Sequence, residues 1–226
     1  MSDSRVIAIV AARNEEARIA PTVKALSTLE AMEEVVVVAN GCSDRTAEEA
    51  AGAGARVLVG SGRSGKGGAL EAALDRVPPA DVYLLVDADV GDTAVETGTL
   101  LEDVLGGRLD LAVGKLPPVA GAGFGLVKRF SAWWIRRLTG FEPEAPLSGQ
   151  RAITREALEG CRPLARGFGV ETAMTIDALR LGFRVGEVPV EMTHRATGRG
   201  PRGFLHRARQ GQDIALAVFL RAVRLR

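Results

Sequence analysis

Apolar residues fall in short runs along the first half of the chain, and each run gives way to a polar loop and then to a segment with helical spacing. Arg5–Ala12, Val35–Ala39, Arg56–Val59 and Val82–Val86 are brief, apolar and largely β-branched, the pattern of strands in a mostly parallel sheet. Between them, Glu16–Leu29, Asp44–Ala53 and Lys66–Arg76 read as helices; the first has apolar positions at Ile19, Val23 and Leu26. The order βαβαβαβ predicts an α/β domain, a parallel sheet with helices on both faces. Loops leaving parallel strands meet at one edge of the sheet, where ligands of open α/β sheets bind. Four distinctive loops should converge there: Arg13-Asn14-Glu15-Glu16, Asn40-Gly41-Cys42-Ser43-Asp44, Gly60 to Gly65, and Asp87-Ala88-Asp89.

The second half is less regular. Leu109–Gly114 and Arg184–Met192 look like strands, and Pro117–Gly125 reads as a mobile Gly/Pro loop. Leu126–Leu138 is amphipathic, with Lys128, Arg129, Arg136 and Arg137 beside Trp133 and Trp134. Val170–Leu181 reads as a helix stopped by Gly182. Gly198–Gly203 reads as a flexible basic hinge, and Phe204–Leu225 as a C-terminal helix in which apolar residues alternate with arginines.

Composition bounds the function. With 226 residues, 46% of them hydrophobic, the chain can fill a core without staples. A net charge of +1 excludes nucleic-acid binding by bulk charge, so no nucleic-acid partner is expected. The charge is uneven, however: from His194 to Arg226 there are eight Arg, two His and one acid, Asp213. Such a tail suits phosphate or an anionic membrane surface. The two cysteines, Cys42 and Cys161, are far apart and argue for neither a zinc site nor a disulfide framework. Val6–Ala12 is too short for a signal sequence, and no apolar run approaches the ~20 residues that span a bilayer. The expected location is cytoplasmic, with peripheral contact with the membrane face left open.

Candidate chemistry sits in the loops. Asp87 and Asp89 at a strand end repel each other unless a cation arrives, and a hard divalent ion such as Mg2+ or Mn2+ brings a ligand's phosphates with it. The alternative is a pair of solvated helix-capping acids. The Asn40 amide can donate to and accept from a nucleobase edge, or it belongs to a plain strand–turn–helix link. Glu15 can hold ribose hydroxyls with backbone near Ala11 meeting the base, or it is an acid at a helix N-terminus. Gly60-Ser61-Gly62-Arg63-Ser64-Gly65-Lys66-Gly67 comes close to a phosphate-binding P-loop, with Gly67 where the magnesium-binding hydroxyl should follow Lys66. Lys66 can still meet a diphosphate as a point charge.

These loops together resemble the family-2 glycosyltransferases, which have the GT-A fold. Asp87-Ala88-Asp89 is similar to their DxD motif, and Gly65-Lys66-Gly67 to a segment of the polyprenyl-phosphate and glucosyl-3-phosphoglycerate synthase branches. Asn40-Gly41-Cys42-Ser43-Asp44 resembles their Asp-Gly-Ser-x-Asp turn, with Asn40 in place of Asp; Ala12 to Glu16 resembles their first nucleotide-contacting segment. Leu147 to Ala152 is similar to their acceptor-side segment, Phe168 to Glu171 to a region of active-site acids, and Val188 to Arg195 to a strand ending in a metal-binding His.

The resemblance implies a nucleotide-sugar donor, UDP- or GDP-linked, contacted by Ala12, Asn14, Glu15, Asn40, Lys66 and Asp87. It implies a metal on Asp89 and His194, with Asp89 and Glu171 as catalytic groups and Glu171 as base or acceptor-orienting residue. Ser148, Gly149, Arg151, Arg195 and Arg199 are expected to bind a phosphate-bearing acceptor, a polyprenyl phosphate or a small phosphorylated metabolite. Residues 1–203 then form the GT-A domain, with 1–115 the nucleotide-sugar half and 116–203 the acceptor half, and 204–226 form a basic helix that covers the domain, a membrane or a second subunit of a homodimer. Three alternatives stand beside this: a P-loop-like kinase or NTPase, a nucleotidyltransferase, and a sugar-nucleotide-binding module without turnover.

Overall fold

A computed structural model describes residues 4–62, 65–117, 125–192 and 201–223, with the side chains of all of these but 201–208. In chain order the elements are β1 (Val6–Ala12), α1 (Ile19–Ser27), β2 (Met32–Asn40), α2 (Thr46–Gly52), β3 (Arg56–Gly60), α3 (Gly65–Leu74) and β4 (Val82–Asp87). A 3-10 turn (Gly91–Thr97) leads into α4 (Gly98–Leu105), β5 (Leu111–Lys115), α5 (Leu126–Thr139), β6 (Arg151–Thr154) and α6 (Arg155–Cys161). A second 3-10 turn (Gly167–Gly169) precedes α7 (Val170–Arg180), β7 (Val185–Pro189) and α8 (Pro201–Val223).

The seven strands form one sheet in the order β3-β2-β1-β4-β6-β5-β7. Only β6 runs antiparallel to its neighbours, so the α/β expectation holds. Successive side chains alternate between faces, and both faces are covered. Ala8, Val10, Val37, Leu84 and Val86 pack under α1 and α4, whose Val23, Leu26, Leu100 and Val104 are buried with them. Ile7, Ile9, Val38 and Leu85 pack under α3, α6 and α7 through Leu70, Leu158, Val170 and Met174. This two-sided burial is why the strands read as unbroken apolar runs. A smaller third cluster of Ile135, Ile176, Ile214 and Val218 joins α5 and α8 to the outer side of α7. One face of the C-terminal helix therefore packs on its own domain. Arg221 pairs with both Asp177 carboxylate oxygens, and the Phe168 N–H donates to Asp213 at 3.0 Å.

Several boundaries differ from expectation. α1 begins at Ile19 rather than Glu16, because the Glu15 carbonyl already accepts the N–H groups of Arg18 and Ile19 in a tight turn. The last strand is confined to Val185–Pro189, and the C-terminal helix begins at Pro201. α4, β6 and α6 were not foreseen. The expected loop at Pro117–Gly125 falls largely outside the described residues, as do positions 198–200 of the expected hinge, whereas Pro201–Gly203 form the start of α8 rather than a hinge.

The register fixes the working edge. Ala12 pairs with Ala39, Asn40 with Gly60, and Ala11 with Asp87, so β1 to β4 end level. Because β6 is antiparallel to β4, its beginning rather than its end reaches this edge. Arg151 pairs with Leu85, which brings Ser148, Gly149 and Gln150 beside Asp87.

Candidate active site

Asp87 closes β4, and each of its carboxylate oxygens is held. Lys66 Nζ donates to Oδ1 at 2.5 Å and Gln150 Nε2 to Oδ2 at 2.9 Å. The Asp87 N–H returns a bond to Gln150 Oε1 at 2.9 Å, so the buried Gln150 fixes both the backbone and the side chain of this residue. Lys66 Nζ also lies 2.7 Å from Glu171 Oε1, which stands in the first turn of α7 and is 7% exposed. Burial alone would lower the Lys66 pKa, but the Asp87 and Glu171 carboxylates outweigh it and hold the ammonium well above the ordinary lysine value.

The glycine at 149 makes room for this arrangement. A Cβ there would come within 2.5 Å of Lys66 Nζ and closer still to both Asp87 oxygens. Ser148 is half-buried; its N–H donates to the Ala145 carbonyl, and its own carbonyl accepts from Arg151 Nε at 2.8 Å. Arg151 departs from its expected role. It is 1% exposed, and Nη1 donates to Thr175 Oγ1 at 3.0 Å, so the guanidinium lies beneath the site and does not face an acceptor in solution. Burial pulls its pKa below that of an ordinary arginine, against the opposing pull of Glu171. Its Nη2 has no hydrogen-bond partner among the described residues, and the residue lines a cavity of about 10 Å³ together with Lys66, Gly149 and Glu171. Lys66 and Arg151 thus face Asp87 and Glu171 as two cations against two anions, a locally neutral cluster in a partly dry site.

The remaining loops brace one another. Asn14 adopts a left-handed backbone (φ 58°), and its Oδ1 accepts the Ser43 N–H at 2.8 Å. The Glu15 N–H donates to Thr46 Oγ1 at 2.8 Å, and the carbonyl of Ala12 accepts from the Cys42 thiol at 3.5 Å. Ala12, Asn14 and Glu15 therefore sit where the first two loops clasp. Asn40 also departs from its expected role of reading a base edge. It is buried, its Oδ1 accepts the Gly62 N–H at 2.8 Å, and its Nδ2 donates to the Gly65 carbonyl at 3.1 Å, so both ends of the amide hold the Gly-rich loop. Asp89 is half-buried and stands on a loop fixed through backbone groups. Arg18 Nη1 donates to the Asp89 carbonyl at 2.9 Å, and the buried Thr22 hydroxyl bridges the Ala88 carbonyl and the Gly91 N–H.

The P-loop alternative fails at Gly67. A Cβ there would overlap the carbonyl oxygen of Ala165, so the Ser or Thr of that motif has no room. Gly67→Ser is expected to destabilise the protein by about 3 kcal/mol, the upper range for overpacking a close backbone approach. A thermal melt unchanged from wild type would contradict this packing.

A divalent metal fits the donor set at this edge. Asp87 and Asp89 offer carboxylate oxygens, and Mg2+ or Mn2+ commonly takes one or two carboxylates plus phosphate oxygens. Among the described residues there is no cluster of three or more His, Cys, Asp or Glu that could hold such an ion alone. His194, Arg195 and Arg199 lie outside the described residues. Reading the sequence overlooked Gln150, Thr22, Arg18 and Thr175, whose importance lies in partners distant along the chain. A polar residue inside an otherwise apolar helix face, such as Thr22, was the one available signal.

Comparison with known proteins gives a consistent picture. Residues 7–148 match the family described as Glycosyl transferase family 2. Glycosyltransferase AglJ of Haloferax volcanii is 31% identical over 196 residues, 83% of this chain and 62% of that protein. An uncharacterized glycosyltransferase of Mycobacterium tuberculosis is 29% identical over 227 residues, 99% of this chain and 100% of its own length. The chain thus spans somewhat less than two thirds of AglJ. Glucosyl-3-phosphoglycerate synthase from Mycobacterium tuberculosis, solved with Mn2+, UDP-glucose and phosphoglyceric acid, superposes with a TM-score of 0.79 at 25% identity, covering 96% of this chain and 79% of that one. The same enzyme with Mg2+ and UDP gives a TM-score of 0.78 at 26% identity, covering 96% and 79%. The sheet, the acidic strand end and the match across most of the sheet-forming residues agree: the chain belongs to glycosyltransferase family 2.

Proposed function

We propose that this protein is a metal-dependent glycosyltransferase that moves a sugar from a UDP- or GDP-linked donor to a phosphate-bearing acceptor. The observation that carries the reading is the Asp87–Lys66–Glu171 group beside the Asp87-Ala88-Asp89 turn, at the sheet edge where four loops converge. Support comes from the similar synthase, whose crystals hold Mn2+ with UDP-glucose and phosphoglyceric acid. Asp89, with Asp87, would hold the metal, and the metal supplies positive charge to a leaving nucleoside diphosphate.

The chain's own groups do the rest. Lys66 neutralises diphosphate charge and leaves Glu171 as it turns toward the donor. Where the acceptor attacks through a hydroxyl, Glu171 Oε1 then becomes able to meet it as base or orienting group; an attacking phosphate needs no base. Arg195 and Arg199 suit the acceptor's phosphate, and a lipid-linked and a small acceptor both satisfy that chemistry.

The test is a thermal-shift titration with UDP, GDP, ADP and ATP, with and without manganese, on wild type and Asp89→Ala. At 100 times the dissociation constant, the right nucleotide stabilises by about 2.7 kcal/mol. Stabilisation by UDP or GDP that needs both manganese and Asp89 is the expected result. Stabilisation by ATP alone, indifferent to Asp89, overturns the reading. Pyrophosphate release from a nucleoside triphosphate and a sugar phosphate would instead mark a nucleotidyltransferase.

A further inference from the structure

Exposed large apolar side chains are concentrated on two neighbouring helices: of the eleven among the described residues, seven lie on α5 and α8. On α5, Leu126, Phe130 and Trp133 follow i, i+4, i+7 spacing and so share one face; they are 68%, 39% and 56% exposed. The opposite face, through Ser131 and Ile135, is buried. Arg129, Arg136 and Arg137 stand in and beside the apolar stripe, Lys128 lies toward the other side of the helix, all four are exposed, and α5 contains no acidic residue. Arg136 reaches Glu142 at 3.2 Å. α8 packs on α5 through Ile214 and Val218 against Ile135, and it exposes Leu216, Phe219 and Val223 at i, i+3, i+7 spacing.

We infer that the face of α5, extended by α8, docks on a lipid bilayer bearing anionic headgroups. An apolar stripe with a cationic rim is the signature of a helix lying in the membrane interface. Tryptophan suits that boundary, since its ring is apolar and its N–H can reach headgroups or water. No helix among the described residues is long and apolar enough to cross a membrane, so the contact is peripheral. The charge pattern selects this occupant over a second copy of the chain. A two-fold interface sets one patch against itself and would bring the α5 cations together, whereas an anionic surface complements them. This docking stands independently of the transferase reading: vesicle binding is measured without donor or acceptor.

The test is sedimentation of the full chain with vesicles of phosphatidylcholine alone and of phosphatidylcholine with phosphatidylglycerol, with light scattering of the free protein. The expected result is salt-sensitive binding to the anionic vesicles only, with tryptophan emission shifted to the blue. Two double variants, Trp133→Ser with Phe219→Ser, and Arg129→Glu with Arg137→Glu, should each weaken binding at least about tenfold. Their melting temperatures and nucleotide binding should stay near wild type, because the substituted side chains are exposed. Absence of binding to the anionic vesicles, equal binding to both kinds, or a stable wild-type dimer that either variant pair dissociates would overturn the inference.

Discussion

Asp89→Ala is expected to lower sugar transfer by about a thousandfold or more, the several kcal/mol that a metal contributes to charge developing on a leaving phosphate. Nucleotide binding in manganese should weaken with it, whereas binding measured with a chelator present should barely change. The substitution should leave the backbone anchors of the turn in place. The turn carrying Asp89 is anchored by Arg18 on the Asp89 carbonyl and by Thr22 on the Ala88 carbonyl and the Gly91 N–H, and all of these bonds survive loss of the side chain. Asp87→Ala would behave differently. It removes the oxygens that hold Lys66 and Gln150, so stability and activity fall together. The contrast between the two aspartates separates metal binding from assembly of the site. Equal loss of melting temperature in both variants, or transfer by Asp89→Ala within tenfold of wild type, would contradict this division of labour.

The legible part of the molecule was the part whose information is local. β1, β2 and β4 announced themselves because strands covered on both faces are apolar at nearly every position, and the edge strand β3 through its short Val-Leu-Val run. Their loops announced themselves because glycine, asparagine and aspartate interrupt those runs. β6 did not. It is four residues long, and its first residue is an arginine that a pattern reading assigns to the surface, yet Arg151 is wholly enclosed. Without that strand the antiparallel insertion was invisible, and so was the reason Gln150 faces Asp87. Asn40 shows the same limit from the other side. Its residue type suited base recognition, but its partners, Gly62 and Gly65, are backbone groups of another loop. A type of side chain suggests which bonds it can make; only the packing decides where they go. The Lys66–Glu171 pair is the sharpest instance, since each residue had a sensible local role at a helix N-terminus and the fold joined them.

Lys66→Met is expected to cost about 2 to 3 kcal/mol of stability and to cut turnover by about a hundredfold to a thousandfold. The stability figure falls below that for removing one partner of a fully buried ion pair, because the Asp87 side chain is 34% exposed and solvent screens that half of the arrangement. The loss in turnover follows from removing a donor held at the position where diphosphate charge grows. Glu171→Gln alone should leave Lys66 with Asp87 as partner. The double variant Lys66→Met with Glu171→Gln should recover much of the stability, since the more buried of the two carboxylates left without the ammonium is gone, and none of the turnover. A double-mutant cycle measured by denaturant unfolding and by transfer rate reads both outcomes. The pH dependence has a definite sign. The carboxylates raise the Lys66 pKa in the folded state above its ordinary value of about 10.5. Its stabilisation is therefore fully present below that ordinary value and is lost only as pH climbs through the higher folded value. The gap between wild type and Lys66→Met should stay level through the neutral range and narrow only in strong alkali. A gap that widened with rising pH, or a variant with wild-type turnover, would mean that the ammonium is not the charged centre of this site.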